Sequence, residues 1–416
     1  MKILFILTDR FPYSGACSSL IWKMLTEGVL AEKLGQVHVL IPKYSKDDIS
    51  LEKIENITVH RALMPSFLPA AELKKMKTRP DILLRGVAAK LWDRKIGRRL
   101  RKDRFLQECF IKDLCCSIQK LHKKEKFQVL VPIAGAYEVA AAAMKVAKNE
   151  KIGLLLYQVD PCSTNISLSK NSLSARVQFE DELYRNADGV ITTPILLKER
   201  QAAGKPDLEK ATPMEFPNVS MTPVKPMTRE NPEKRICVFA GRVYHGIRNP
   251  KYTVSLFSQL NDPNTEFHLY GVTEEELASF GVTDLASGSV FCHGLCSLDV
   301  VQEKIQQADI VVNIGNIMTN QVPSKIFEYI SSCKPILNIA TNMQCPSIPY
   351  MKRYPRALTL VEGEGNLAEN ADKVKAFIIE NAGQMADQQE ILAVFRECTA
   401  VCCAEQMTQM IYNCLS

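Results

Sequence analysis

Residues 1–41, MKILFILTDRFPYSGACSSLIWKMLTEGVLAEKLGQVHVLI, carry the pattern strand, loop, helix, strand. Ile3–Leu7 is a continuous apolar run, the pattern of a parallel strand buried on both faces. Thr8, Asp9 and Arg10 end the run, and Pro12 and Gly15 fall in the loop behind it. Leu20, Met24, Gly28 and Leu34 then recur in helical register, which predicts one helix over residues 19–34, stopped by Gly35. Val37–Ile41 is the second strand. The apolar start is too short for the core of a signal peptide, so it reads as a strand.

The alternation continues outward from there. Val129–Ile133, Leu154–Val159 and Gly189–Thr193 are strand candidates, with helices expected at Glu138–Lys148 and Arg176–Asn186. Pro206, Pro213, Pro217, Pro223, Pro226 and Pro232 then cluster and mark a linker. Beyond it the pattern restarts with strands at Ile236–Ala240, Phe267–Tyr270, Val290–His293, Ile310–Ile314 and Ile336–Ala340. Helices are expected at Tyr252–Leu260, Val300–Gln307 and Ser324–Ser331, and the end of the chain reads as mostly helical. The expected fold class is α/β, with two Rossmann-like domains facing each other across a cleft. The chain's 416 residues exceed one ordinary core and suit two. The expected divisions are an N-terminal domain (residues 1–212), a C-terminal domain (213–390), and a last helix (391–416) packing back on the first.

Composition excludes several classes. Hydrophobic residues make up 46% and charged residues 24%, which argues against disorder. No apolar run approaches the length of a membrane span. Fourteen cysteines include the adjacent pairs Cys115–Cys116 and Cys402–Cys403, but no paired C-x2-C motif. Reduced thiols in a cytoplasm are expected, with no metal site. The net charge of +6 is concentrated, with roughly eighteen Lys and Arg against seven acids between Glu72 and Lys126.

Ligands of open α/β sheets bind beyond the carboxyl ends of the strands. In the second half, Gly241-Arg242 closes a strand and Arg248-Asn249 follows. Two guanidiniums in one loop make a diphosphate clamp, because Arg offers paired donors to phosphate oxygens; the plainer reading is two solvated loop arginines. Pro323, Ser324 and Lys325 open a helix whose free N–H groups favour an anion, and Glu328 lies one turn inside, within reach of a ribose or simply solvated.

Two long stretches carry a family resemblance. They are residues 308–336, ADIVVNIGNIMTNQVPSKIFEYISSCKPI, and Phe239-Ala240-Gly241-Arg242 with Arg248-Asn249-Pro250. With His293-Gly294 and Phe216-Pro217-Asn218, they resemble the retaining family 4, group 1, glycosyltransferases of GT-B fold. The resemblance implies transfer of a sugar from a UDP- or GDP-sugar to a glycan or lipid-linked acceptor, as in bacterial polysaccharide biosynthesis, with retained configuration. It implies no cofactor and no metal, since the leaving diphosphate is held by arginines. By position, Arg242 matches a diphosphate-binding arginine. Arg248 falls near a lysine of the same task, one residue later than is common. Glu328 matches the second glutamate of the E-x7-E motif, which binds ribose. The first glutamate falls at Asn320, a departure beside the transferred sugar. Gly15 matches a glycine that lets donor and acceptor approach the backbone. Asp160 falls near a position where family members carry His or Asp against that sugar. Gly241, Asn249, Gly294, Pro323, Ser324 and Lys325 complete the expected donor set.

Residues 80–104 are amphipathic and basic. Ala89, Trp92, Ile96 and Leu100 share helical spacing, and Arg94, Lys95, Arg98 and Arg99 fill other faces. Such a helix fits an anionic membrane or a solvated surface, and the expected location is cytoplasmic, peripheral on the inner face. No motif for nucleic acid accompanies it. The rival readings are a nucleotide-sugar-binding protein without transfer activity and a sugar-nucleotide 2-epimerase.

Overall fold

The computed structural model describes residues 1–12, 15–68, 104–133, 136–161, 170–224, 233–283, 285 and 288–415. The chain forms two compact units, Met1–Pro217 with Ala400–Ser416, and Asn218–Thr399.

The first unit holds an eight-stranded sheet. In chain order its strands are β1 (Lys2–Ile6), β2 (Gln36–Pro42), β3 (Leu51–Ile54), β4 (Ile57–Ala62), β5 (Val129–Pro132), β6 (Gly153–Gln158), β7 (Gly189–Thr192) and β8 (Ala211–Pro213). Their spatial order is β3-β4-β2-β1-β5-β6-β7-β8. All pairings are parallel except that of β3 with β4. Ile3, Leu4, Phe5 and Ile6 are fully buried, as a central parallel strand requires. Leu4, Ile6 and Leu130 pack with Ala140–Ala143 of helix Tyr137–Glu150 and with Leu114 and Ile118 of helix Arg104–Glu125.

Residues 19–34, expected as one helix, form two, Ala16–Leu25 and Leu30–Leu34. The cause lies at the other end of the chain. A Cβ at Gly28 would stand 2.5 Å from the Ala400 carbonyl oxygen and 2.7 Å from the Ala404 Cβ. The terminal helix, Ala400–Asn413, thus runs against this turn, and Val29 takes a left-handed φ of 50° to restart the helix. The same terminal helix places the Cys403 thiol on the Glu215 carbonyl at 3.4 Å.

The second unit holds six parallel strands: β9 (Arg235–Ala240), β10 (Thr265–Tyr270), β11 (Val290–Cys292), β12 (Ile310–Ile314), β13 (Ile336–Ala340) and β14 (Ala357–Val361). Their order is β11-β10-β9-β12-β13-β14. Phe239, Phe267, Leu269, Val312 and Leu337 form one face of its core with Val254, Leu256 and Phe257 of helix Lys251–Ser258. Buried amides cross three strands in register: Asn313 Nδ2 donates to Asn338 Oδ1 at 2.7 Å, and Asn338 Nδ2 to Thr359 Oγ1 at 3.2 Å. A one-residue slip of any of these strands would orphan them, so the ladder opposes slippage.

Candidate functional site

In the second unit the chain runs from β9 outward to β10 and β11, then returns to lay β12 on the other side of β9. The strand order therefore reverses between β9 and β12. A crevice at such a switch point is where open α/β sheets bind ligands.

Arg248 bridges the two loops that flank this point. Its Nη1 donates to the Arg242 carbonyl at 3.2 Å, in the loop after β9, and its Nη2 donates to Asn316 Oδ1 at 2.9 Å, in the loop after β12. Nε is buried without a partner. Burial pushes the Arg248 pKa below its ordinary value, yet a guanidinium remains charged. No carboxylate pairs with it among the described residues.

The loop itself is built to hold that side chain. Tyr244 and Arg248 exchange backbone hydrogen bonds of 3.3 and 2.9 Å, around a turn that needs Gly246 at φ 79°. The Ile317 N–H donates to the Ile247 carbonyl at 2.7 Å and ties the two loops together. Asn316 is buried, and its Nδ2 donates to the Gln321 carbonyl at 3.1 Å. Asn249 spends its Oδ1 on the Lys251 N–H at 2.9 Å, at the start of the next helix.

Arg242 is in a different state. Its Nη2 donates to Glu276 Oε1 at 2.6 Å. Glu276 Oε2 accepts from the Thr273 N–H, while Thr273 Oγ1 accepts from the Glu276 N–H, a capping box for helix Glu274–Ser279. Gly241 donates to the Tyr270 carbonyl at 3.0 Å, and Gly271 to the Gly294 carbonyl at 2.8 Å. A Cβ at Gly271, φ 86°, would meet the Gly241 carbonyl oxygen at 2.8 Å. The ends of β9, β10 and β11 are thus laced backbone to backbone.

Pro323 is buried and Ser324 precedes helix Lys325–Ser331, making no side-chain cap. Lys325 Nζ and Glu328 Oε2 form an ion pair of 2.6 Å, so these two expected donor residues hold each other. The helix is pinned to β9 by Tyr329, whose hydroxyl accepts from the Ala240 N–H at 2.9 Å. Asn320 lies half-buried in the loop between β12 and this helix.

The first unit reverses its strand order between β1 and β5. After β1, Asp9 Oδ2 accepts from the Ser18 N–H at 3.1 Å and so caps helix Ala16–Leu25. Gly15 stands at φ 113°, and a Cβ there would collide with the Asp9 carboxylate. Asp160 follows β6 and is half-buried. Burial, then the charges of Asp9 and Asp160, push the pKa of the half-buried Cys17 thiol up to about 12. Trp92, Arg94, Lys95, Arg98 and Arg99 lie outside the described residues.

Sequence reasoning left out Asp9, Glu276, Asn316 and Tyr329. The spacing Thr273-x-x-Glu276 is a readable capping box, but nothing local announces that Glu276 also reaches Arg242.

Two Rossmann-like units in one chain, each with a parallel sheet and helices on its faces, define the GT-B class of fold. Solved structures of this kind match along nearly the whole chain. Sucrose-phosphate synthase from Thermosynechococcus elongatus matches with a TM-score of 0.65 at 13% identity, over 98% of this chain and 97% of that one. HepE of Anabaena, in complex with UDP and glucose, matches with a TM-score of 0.62 at 11% identity, over 99% of both chains. UDP-GlcNAc 2-epimerase from Neisseria meningitidis, bound to UDP-GlcNAc, matches with a TM-score of 0.53 at 11% identity, over 99% of this chain and 100% of that one. At such identities the likeness establishes the fold. No protein-family model and no curated protein sequence matches the chain. No helix among the described residues is long and apolar enough to cross a membrane.

Proposed function

We propose that the chain is a glycosyltransferase that moves a sugar from a UDP- or GDP-sugar to a glycan or lipid-linked acceptor. The carrying observation is Arg248, a half-buried cation at the switch point, held by two neutral oxygens and paired with no carboxylate among the described residues. Burying a charge without a counter-charge is costly. A nucleoside diphosphate would supply the missing anion, and a guanidinium suits its oxygens. Arg242, Lys325 and Glu328 surround the same strand ends. In this reading the arginines stabilise the leaving diphosphate and Glu328 takes the ribose. The family resemblance assigns Asp160 and Gly15 of the first unit, and Asn320 of the second, to the transferred sugar. The bond from the anomeric carbon to the diphosphate oxygen breaks, and the acceptor oxygen bonds to that carbon on the same face, passing its proton to the departing diphosphate oxygen. The diphosphate's charge falls on protein cations, so the reaction runs without a metal.

The neighbours that hold UDP, glucose or UDP-GlcNAc make UDP-sugars the first donors to try. The epimerase among them keeps a second reading, isomerisation of the nucleotide sugar. One assay separates the two: incubation with UDP-glucose, UDP-GlcNAc and GDP-mannose in excess EDTA, with and without an acceptor extract. Acceptor-dependent release of nucleoside diphosphate supports transfer. An isomeric nucleotide sugar without acceptor supports epimerisation, and activity restored only by Mg2+ or Mn2+ contradicts the metal-free mechanism.

The lipid-linked acceptor is the finer part of this proposal and rests on the basic residues 80–104. Co-sedimentation with anionic but not neutral vesicles, lost at high salt, supports it. A chain that stays in the supernatant at low salt favours a soluble acceptor.

A further inference from the structure

The two arginines of the donor loop differ in one respect that the proposed reaction leaves unexplained. Among the described residues Arg248 has no acid, whereas Arg242 already has one. The Arg242–Glu276 pair is short, at 2.6 Å, but the two side chains are 40% and 28% exposed. An ion pair that wet contributes little to folding. Nor does the helix cap require it: Oε2 alone serves the Thr273 N–H, and it is Oε1 that holds Arg242. Glu276 is therefore fixed by the cap at one oxygen and presents the other to a cation at the mouth of the switch-point crevice.

The backbone and side chain of Arg242 also have separate duties. Its carbonyl anchors Arg248, while its guanidinium extends outward, 5.9 Å from the Tyr244 ring centre. The side chain can leave Glu276 without disturbing the anchor. A diphosphate carries more negative charge than a carboxylate and lies under the additional field of Arg248, so it displaces Glu276 from Arg242.

We propose that Glu276 is a resident counter-ion for Arg242, exchanged for the diphosphate when the nucleotide binds and regained when the product leaves. The proposal rests on the donor-site reading above. Glu276 acts through Arg242 as a positioning residue. It holds the guanidinium ready in the empty site and weakens the hold on nucleoside diphosphate, which favours product release.

The test is calorimetric titration of the full chain with UDP and with GDP. Glu276→Gln keeps an oxygen for the Thr273 N–H and loses the charge. It should tighten binding of the accepted nucleotide roughly two- to fivefold, the worth of an exposed ion pair. The gain should vanish in an Arg242→Ala background, where there is no guanidinium to release. Thr273→Ala, which breaks the hydroxyl half of the cap and leaves the pair, should bind like wild type. If Arg242→Ala weakens binding but Glu276→Gln does not tighten it, the counter-ion role falls alone. An equal gain with and without Arg242 also overturns it, because the carboxylate then acts by itself. If wild type binds neither nucleotide, the donor-site reading falls and this proposal with it.

Discussion

The two units repeat one architecture and end their central strands in opposite chemistry. In the second unit, the loops after β9 and β12 close on a guanidinium that has no acid among the described residues. In the first unit, the loop after β1 closes on a carboxylate: Asp9 accepts from the Ser18 N–H at the start of helix Ala16–Leu25. A helix start already capped by an acid is a poor place for a phosphate. On the proposed reading, the diphosphate therefore belongs to the second unit.

The comparison can be broken most severely at Gly15. Gly15→Ala puts a Cβ into the Asp9 carboxylate at a φ that only glycine tolerates well. Strain and loss of the cap together should destabilise the first unit by about 2–4 kcal/mol. Urea unfolding followed by circular dichroism measures this, and a midpoint within error of wild type would remove the acid-capped loop from the account.

A second break uses pH. His38 on β2 and His60 on β4 are buried, with Nδ1 of one 2.8 Å from Nε2 of the other. Burial lowers both pKa values, and His60 falls to about 4, with the His38 charge adding to the effect. Glu125 opposes these shifts and Lys124 reinforces them. A folded pKa below the unfolded value of 6.5 means that the unfolded state binds more protons under pH 6.5. The contribution of the pair is complete above that pH. It is lost as pH falls from about 6.5 to 4 and changes no further below. From the His60 shift, the loss is roughly 3 kcal/mol by pH 4. Wild type should lose about that much more than a His38→Leu/His60→Leu variant between pH 7 and pH 4. Equal losses would show that the pair does not titrate with folding.

Smaller effects sharpen the contrast. Asp9→Ala removes the carboxylate cap and should cost about 1 kcal/mol of stability. It should leave nucleotide binding intact, since the acid belongs to the other unit from the proposed donor site. Arg248→Met should do the reverse. Replacing this charge by an apolar side chain of similar length removes a desolvation cost but leaves Asn316 Oδ1 and the Arg242 carbonyl without their donor, and the two effects oppose each other. The thermal midpoint should fall only slightly, while binding of nucleoside diphosphate falls strongly. A large drop in the midpoint would mean that Arg248 is a structural strut and not a waiting cation.

How far these features were readable depends on the range of the interactions behind them. β1 and β9 were legible because a strand buried on both faces must be apolar throughout. The pair β3 and β4 was not. Leu51 and Ile54 bracket Glu52 and Lys53 in a four-residue edge strand, which carries little pattern. The break at Thr26–Val29 was hidden because Ala400, at the far end of the chain, imposes it. At the site, Arg242 and Arg248 were readable from motif spacing. Their different electrostatic states were not, because Glu276 and Asn316 reach them from other strands of the sheet.

On the proposed reading, the second unit carries a nucleoside-diphosphate site organised by Arg248. Calorimetric titration of wild type, Arg248→Ala and Asp9→Ala with UDP and with GDP, in buffer containing EDTA, addresses it most directly. The account predicts that wild type and Asp9→Ala bind one of the two nucleotides alike, and that Arg248→Ala binds it roughly 30- to 200-fold more weakly, as loss of a charge-assisted pair implies. No binding by wild type, or equal affinity for wild type and Arg248→Ala, would contradict it.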